Sequence, residues 1–321
     1  MEINNESTLV IGLMTYNYGI YIEEAINSIL CQDFNEWRLI ISDDNSADDT
    51  EQRVKKYLSD PRIEYIKHTR NLGQAGNWRY LLTRCNSEFF VILHADDYWV
   101  SGILSKAIRF FKENKDCDLI YFNWKYLSHG SDKLEITGNG PNQTNEYNTG
   151  RDEFLKQMER FSILPSSVFI RSSLIKRNAP PDLSFKLAVD AEYLIRLVHN
   201  SRMVKVFNDE LLIYRVHGNS ASDHAKSNEI YDKEKEQLAL FFKPYFANAE
   251  YGRKAELIFR NKMSLYFQNK GINIKCDRRQ RFRYWKKAFV YNPYRIFSLR
   301  FWLLFTLLVS GNIRHTLKKI G

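Results

Sequence analysis

Two pairs of adjacent aspartates carry the strongest chemical signal in this sequence: Asp43 and Asp44 within ISDDNS, and Asp96 and Asp97 within FFVILHADDYW. Neighbouring carboxylates repel each other and are costly to bury ionised unless a positive charge lies close by. A divalent cation is the natural partner, and hard oxygen ligands suit Mg²⁺ or Mn²⁺. Sites with few carboxylates complete their coordination with water and substrate phosphates, so the ligand predicted is a diphosphate. The chain has no Walker A loop and no G-x-G-x-x-G after its first apolar run, which removes the P-loop and dinucleotide-binding readings.

The elements that must position these acids follow from hydrophobic spacing. Short β-rich runs at 8–14, 37–42, 63–68 and 89–94 alternate with helical spacing at 20–31, 48–59 and 74–85. This βαβαβαβ pattern predicts an α/β fold with a mostly parallel, doubly wound sheet. Ligands of such sheets bind beyond the carboxyl ends of the strands. Polar residues gather at each of those ends: Thr15, Tyr16 and Asn17; Asp43 to Ser46; Arg70 and Asn71; Asp96 and Asp97. Taken singly, each is also explained by turn chemistry and capping, and Asp48 is most simply the N-cap of the helix it precedes. Four coincident sites point to one rim.

The polar stretch 128–150 reads as a long loop or hairpin with the character of a mobile lid. Beyond it the spacing predicts helices at 151–160 and 189–200, a strand at 166–170 and two short strands around 204–208 and 211–216. Residues 226–270, 279–290 and 296–309 read as helical, a C-terminal extension to the sheet. The net charge of +9 is unevenly spread. Residues 271–321 hold 12 Lys and Arg against one acid, Asp277, whereas 35 of the 47 basic and 37 of the 38 acidic residues come earlier. A nearly neutral body argues against a nucleic-acid-binding core. Cys31, Cys85, Cys117 and Cys276 form no C-x-x-C pair, and the run LVIGLM is too short for a signal-peptide core. A reduced, cytoplasmic setting is therefore expected.

The ordered set LVIGLMTYN, DDNS, RNLGQAGN and HADD resembles the family 2 glycosyltransferases with the A-type fold, most strongly over residues 8–125 and extending to about 220. The resemblance implies a nucleotide-sugar-binding half at 1–125, an acceptor-side half at 126–225 and a helical, basic extension at 226–321. It also assigns roles. Tyr16, with Asn17 in the same segment, would flank the nucleotide base, and Asp44 would accept from its ring N–H. Arg70 and Asn71 become candidates for the base or its neighbouring phosphate. Asp96 would contact the ribose or the metal, and Asp97 the metal. His94 departs from the pattern, since the family often has an aspartate there. It is open as an aspartate's partner, a donor contact or a plain strand-end residue.

Sugar transfer from a nucleoside diphosphate also needs a base for the acceptor hydroxyl. KLAVDAEYLIRLVHN resembles the family's acidic motif at a helix start, which makes Asp190 the base and Glu192 the fallback. An acid in a first helical turn is favoured by the helix dipole as well. One base and no covalent intermediate implies inversion at the anomeric carbon. LLIYRVHGNSASDHA resembles the Y-R-x-H segment, so His217 would reach the diphosphate or the metal and Arg215 would neutralise phosphate; a structural histidine fits His217 equally. The donor implied is a UDP-sugar and the acceptor a glycan or lipid-linked glycan. Two other readings stay open: a metal-dependent nucleotidyltransferase, which would show a Gly-rich basic loop where this chain has TYNYGIYIEE, and a non-catalytic nucleotide-sugar-binding protein, which His94 would suit.

The basic tail interleaves cations with Trp, Tyr, Phe and Leu, and its apolar run FWLLFTLLV has nine residues, where a spanning helix needs about 20. It suits the interface of an anionic membrane, which places the chain at the inner face of the cell membrane as a peripheral protein. The alternative is a core helix packed on the catalytic domain with solvated cations.

Overall fold

The structure is a computed structural model that describes residues 7–129, 134–140, 144–160, 162–218, 229–247, 251–272 and 277–294, with Trp302 and Phe305. Its first elements are β1 (Leu9–Thr15), α1 (Gly19–Leu30), β2 (Trp37–Asp43), α2 (Thr50–Lys55), β3 (Ile63–Lys67), α3 (Gly73–Thr83) and β4 (Phe89–His94). The four strands pair in parallel in the order β3-β2-β1-β4. Every residue of β1 is buried, as expected of a central strand covered on both faces. Gly12 lets α3 close on it, since a Cβ there would lie 2.9 Å from Leu81 Cδ1. The predicted βαβαβαβ unit is present with its boundaries shifted by a few residues. The largest shift is at α2, which starts at Thr50 because the Asp48 carboxylate accepts from Thr50 N–H and from Gly19 N–H at the start of α1.

Next come β5 (Tyr98–Trp99), α4 (Ile103–Glu113), β6 (Cys117–His129), β7 (Leu134–Asn139), β8 (Glu146–Thr149), α5 (Gly150–Arg160), β9 (Val168–Arg171), α6 (Ser172–Lys176), α7 (Val189–Asn200) and β10 (Met203–Arg215). They extend the same sheet in the order β4-β9-β6-β10-β5. β9 runs antiparallel to both β4 and β6, and β10 parallel to β6. Neither α4 nor β6 is among the sequence expectations, yet α4 buries Ile103, Leu104, Ala107, Ile108 and Phe111 along one stripe. The stretch read as a loop or hairpin contributes two strands to the sheet: β7 pairs antiparallel with β6, and β8 with β10. The two strands expected at 204–208 and 211–216 are one strand, β10, with register shifts between Phe207 and Leu212. Such bulges look like a break in sequence while the pairing continues across them.

The chain groups into two compact units, 1–157 with 161–238, and 158–160 with 239–321. The first contains the sheet, shared by the segments 1–125 and 126–225. It also holds most of α8 (Glu229–Phe242). In the second, α9 (Tyr251–Ile272) packs on α10 (Arg278–Tyr291). Ser264 Oγ donates to Ala288 O at 2.8 Å, and Met263, Phe267 and Ala288 are buried. A capping box between Asp277 and Gln280 starts α10. The helix expected at 296–309 lies outside the described residues except at Trp302 and Phe305. No helix among the described residues is long and apolar enough to cross a membrane.

Candidate active site

Within the first unit, a cavity of about 550 Å³ opens at the carboxyl ends of β1, β2 and β4. Tyr16, Asp44, Asn71, His94, Asp96 and Asp190 all line it.

At the end of β1, Asn17 adopts a left-handed φ of 55°, and at the end of β2 Asn45 one of 67°, a conformation that asparagine tolerates better than most residues. The two turns interlock: Asn17 N–H donates to Ser46 Oγ, and Ala47 N–H donates to Asn17 Oδ1, both at 2.8 Å. Asn17 thus shapes the rim without lining the cavity. The first acidic pair is divided. Asp43 is fully buried and accepts from Ser46 N–H at 2.7 Å and from the Tyr65 hydroxyl at 2.6 Å. Asp44 faces the cavity while accepting from Leu72 N–H at 2.6 Å and Gly73 N–H at 3.0 Å. Burial raises the Asp44 pKa against the pull of those two N–H groups. Asn71 Nδ2 donates to Asp44 O at 3.2 Å, so the RNLG loop is fastened to β2. Arg70 is exposed and does not line the cavity.

The second pair is divided as well. Asp97 is buried; Ser166 Oγ donates to its Oδ2 at 2.6 Å and Arg215 N–H to its Oδ1 at 3.2 Å. Burial, and then the charge of Asp96, push its pKa well above the usual carboxylate range. Asp96 is the member that lines the cavity, with His217 Nε2 at 3.2 Å from its Oδ2. Arg215 is buried beneath this turn. Its Nε donates to Asp96 O at 3.1 Å, it pairs with Glu24, and it lies over the Tyr21 ring. Its guanidinium therefore fixes the main chain of the acid pair, and neither it nor His217 lines the cavity.

His94 ends β4, and its Nε2 is buried without a hydrogen-bond partner. One ligand atom each from His94, Asp96 and Asp97 lie within 4.8 Å of one another. Burial lowers the His94 pKa against the charges of Asp96 and Asp190, which favours the neutral imidazole that ligates metals. An orphaned nitrogen beside a cavity-facing carboxylate fits a divalent cation. Of the three openings left for His94, the structure shows a strand-end residue whose ring also faces the cavity.

On the far side of the sequence, Asp190 sits in the first turn of α7, its Oδ1 accepting from Ala191 N–H at 2.8 Å. Burial raises its pKa, opposed by that N–H and by His94. The fallback base, Glu192, is not in the cavity: it is fully buried, pairs with Arg196 Nε at 2.6 Å and accepts from Asp182 N–H at 3.1 Å. Two positions along a helix turn a side chain by about 200°, which separates the two acids.

Sequence reasoning passed over several contributors. Asn77, buried in α3, exchanges bonds with Ser42 (Asn77 Nδ2 to Ser42 O, 3.1 Å; Ser42 Oγ to Asn77 Oδ1, 2.5 Å) and also lines the cavity. Its polar side chain on an inward helix position was the available signal. Ser166 accepts from His94 N–H at 3.2 Å while donating to Asp97. Lys235 and Leu238 enter from α8, and no local pattern announces them.

The fold is that of the A-type glycosyltransferases, and the chain matches the model of Glycosyl transferase family 2 over residues 10–176. It belongs to that family. A relative from Campylobacter jejuni, "GalNAc(5)-diNAcBac-PP-undecaprenol beta-1,3-glucosyltransferase", is 34% identical over 162 residues, 50% of each chain. The chain thus spans about half the length of that relative. "UDP-Glc:alpha-D-GlcNAc-diphosphoundecaprenol beta-1,3-glucosyltransferase WfaP" of Escherichia coli is 28% identical over 65% of this chain and 78% of its own. Among solved structures, residues 1–349 of TarS from S. aureus in complex with UDP-GlcNAc superpose with a TM-score of 0.69 at 20% identity, covering 96% of this chain and 89% of that one.

Proposed function

We propose that this protein transfers a sugar from a UDP-sugar to a hydroxyl of a glycan or lipid-linked glycan, with inversion at the anomeric carbon. The observation that carries the reading is that Asp44, Asp96 and Asp190 line one cavity, each from a different element. Tyr16 is 47% exposed at the rim and offers its ring face to the base. Asp44 keeps a lone pair on each oxygen beyond those facing Leu72 and Gly73, enough to accept from a base N–H. Asp190 takes the acceptor proton as its oxygen attacks the sugar from the face opposite the leaving diphosphate; a single base with no covalent step gives inversion. Leu187, Leu194 and Leu238 line the same cavity as Asp190, apolar surface that would limit water near the donor and so its hydrolysis. Asp96 and His94, with Asp97 behind them, would hold Mg²⁺ or Mn²⁺, and that ion would stabilise the charge developing on the leaving diphosphate. The relatives named for UDP-glucose and for diphosphoundecaprenol acceptors support this donor and this acceptor class. UDP release from a panel of UDP-sugars, with a candidate acceptor and Mn²⁺, tests it; absence of release with every donor and of UDP binding would overturn it.

A peripheral position on an anionic membrane is part of the same proposal. The exposed face of α10 carries Arg279, Phe282, Arg283, Lys286, Phe289 and Val290, a spacing that lays cations and apolar groups along one stripe. Each cation adds about 1 kcal/mol near an anionic leaflet. The protein is expected to sediment with anionic vesicles at low salt. Substituting Phe282→Ser and Phe289→Ser, which leaves the buried Ala288 face intact, should weaken that sedimentation without changing UDP affinity. A chain that stays in the supernatant would assign this face to another use.

A further inference from the structure

α7 begins without a capping side chain of its own, because its N-cap position is Ala188. The carboxylate that closes this start comes from α8. Glu234 Oε1 accepts from Lys186 N–H at 2.7 Å, and its Oε2 accepts from Leu187 and Ala188 N–H, each at 2.8 Å. Glu234 is itself buried, at 3% exposure. Three main-chain donors converging on one ionised group hold a segment more firmly than neutral bonds do, and a buried carboxylate is tolerable only when satisfied in this way. One turn further along α8, Gln237 Nε2 donates to Ser184 Oγ at 2.5 Å, so the same helix grips the same segment twice.

The segment so held leads directly into the cavity. Leu187, Ala188 and Asp190 line it, as do Lys235 and Leu238 on the α8 side of the clamp. We propose that Glu234 is a positioning residue for the reaction: by fixing the main chain immediately ahead of Asp190 it sets where the base carboxylate stands in the cavity. This rests on the reading of Asp190 as the base. It also explains why α8, which carries no recognised motif of its own, contributes to the cavity wall. A misplacement of about 1 Å at a reacting group costs on the order of 100-fold in rate, so a three-bond clamp two to four residues from the base is a sensitive point.

The experiment is a cycle of Glu234→Ala, Asp190→Asn and the double variant in the full chain, reading UDP release in the presence of acceptor together with UDP affinity. Glu234→Ala is expected to lower kcat by roughly 10- to 100-fold while UDP affinity stays within about twofold, and Glu234→Gln, which keeps one accepting oxygen but sets an amide NH2 against a main-chain N–H, is expected to fall between Glu234→Ala and the unaltered protein. The double variant should be no slower than Asp190→Asn alone, because a residue that acts only through the base has nothing left to position. Should Glu234→Ala not fold, Glu234→Gln enters the same cycle. Full activity of the Glu234 variant, losses that multiply in the double variant, or UDP affinity falling in step with kcat would each overturn the proposal. An Asp190→Asn protein as active as the unaltered one would instead overturn the base assignment itself, and the two failures are told apart by the single variants.

Discussion

At the ends of β1, β2 and β4 the turns that frame the cavity are tied to neighbouring elements: Asn17 to Ser46 and Ala47, Asp44 to the N–H groups of Leu72 and Gly73, Asp97 to Ser166 and the main chain at Arg215. Around Asp190 the arrangement is different. The Asp190 carboxylate accepts from its neighbour Ala191 N–H, and the turn ahead of it is held by a carboxylate 46 residues away. The strand-end turns are thus cross-braced to one another and to neighbouring loops, whereas the turn ahead of Asp190 is held by one side chain from a different helix. Burial is the largest cause of the raised pKa of both cavity-facing carboxylates, Asp44 and Asp190.

The strongest way to sharpen this contrast is Asp190→Asn, expected to lower transfer by roughly two to four orders of magnitude with UDP affinity and melting temperature nearly unchanged. Because burial raises the Asp190 pKa and only the ionised form accepts a proton, the rate should fall as pH drops through a midpoint above that of an ordinary aspartate, and the variant's residual rate should lack that acid limb. Rate–pH profiles of the two proteins check this. Collapse of UDP affinity would place Asp190 among the binding residues.

Glu192→Gln should do the reverse. Removing one partner of the buried Glu192–Arg196 pair is expected to cost about 3–5 kcal/mol of stability, seen by urea denaturation, while the folded fraction retains its turnover. A loss of turnover without loss of stability would exchange the roles of the two acids.

Asp44→Ala should fall between these. It removes a carboxylate that accepts two N–H bonds at the start of α3, so a loss of about 1–2 kcal/mol in stability is expected, accompanied by weaker UDP binding measured by calorimetry. Unchanged UDP affinity would make Asp44 a structural cap and nothing more.

The difference between the two regions also explains what could be read from the sequence. The four parallel strands and the candidates Tyr16, Asp44, Asn71 and Asp96 were legible because turn residues at consecutive strand ends are brought to one rim by the topology alone. What was less legible is which member of each acidic pair faces the cavity. Asp43 and Asp97 turn inward to Tyr65 and Ser166, partners 22 and 69 residues away. Arg215 and His217 looked like phosphate or metal groups, but they lie under and beside Asp96 because β10 runs back along the sheet toward β5. Glu234 and Lys235 gave no signal, since a helix fastened from afar has no motif. β6 escaped notice because CDLIYFNWKYL does not alternate cleanly, as befits a strand whose first eight residues are buried on both faces.

The measurement that tests the account most directly is UDP binding by calorimetry with and without Mn²⁺, in the unaltered protein and in Asp96→Ala, followed by UDP release from the UDP-sugar that binds best. The account predicts UDP affinity strengthened at least about tenfold by Mn²⁺, loss of that gain in Asp96→Ala, and release of UDP that requires Asp190. UDP affinity indifferent to Mn²⁺ together with full release in excess EDTA would contradict the metal assignment, and absence of UDP binding under every condition would contradict the proposed function as a whole.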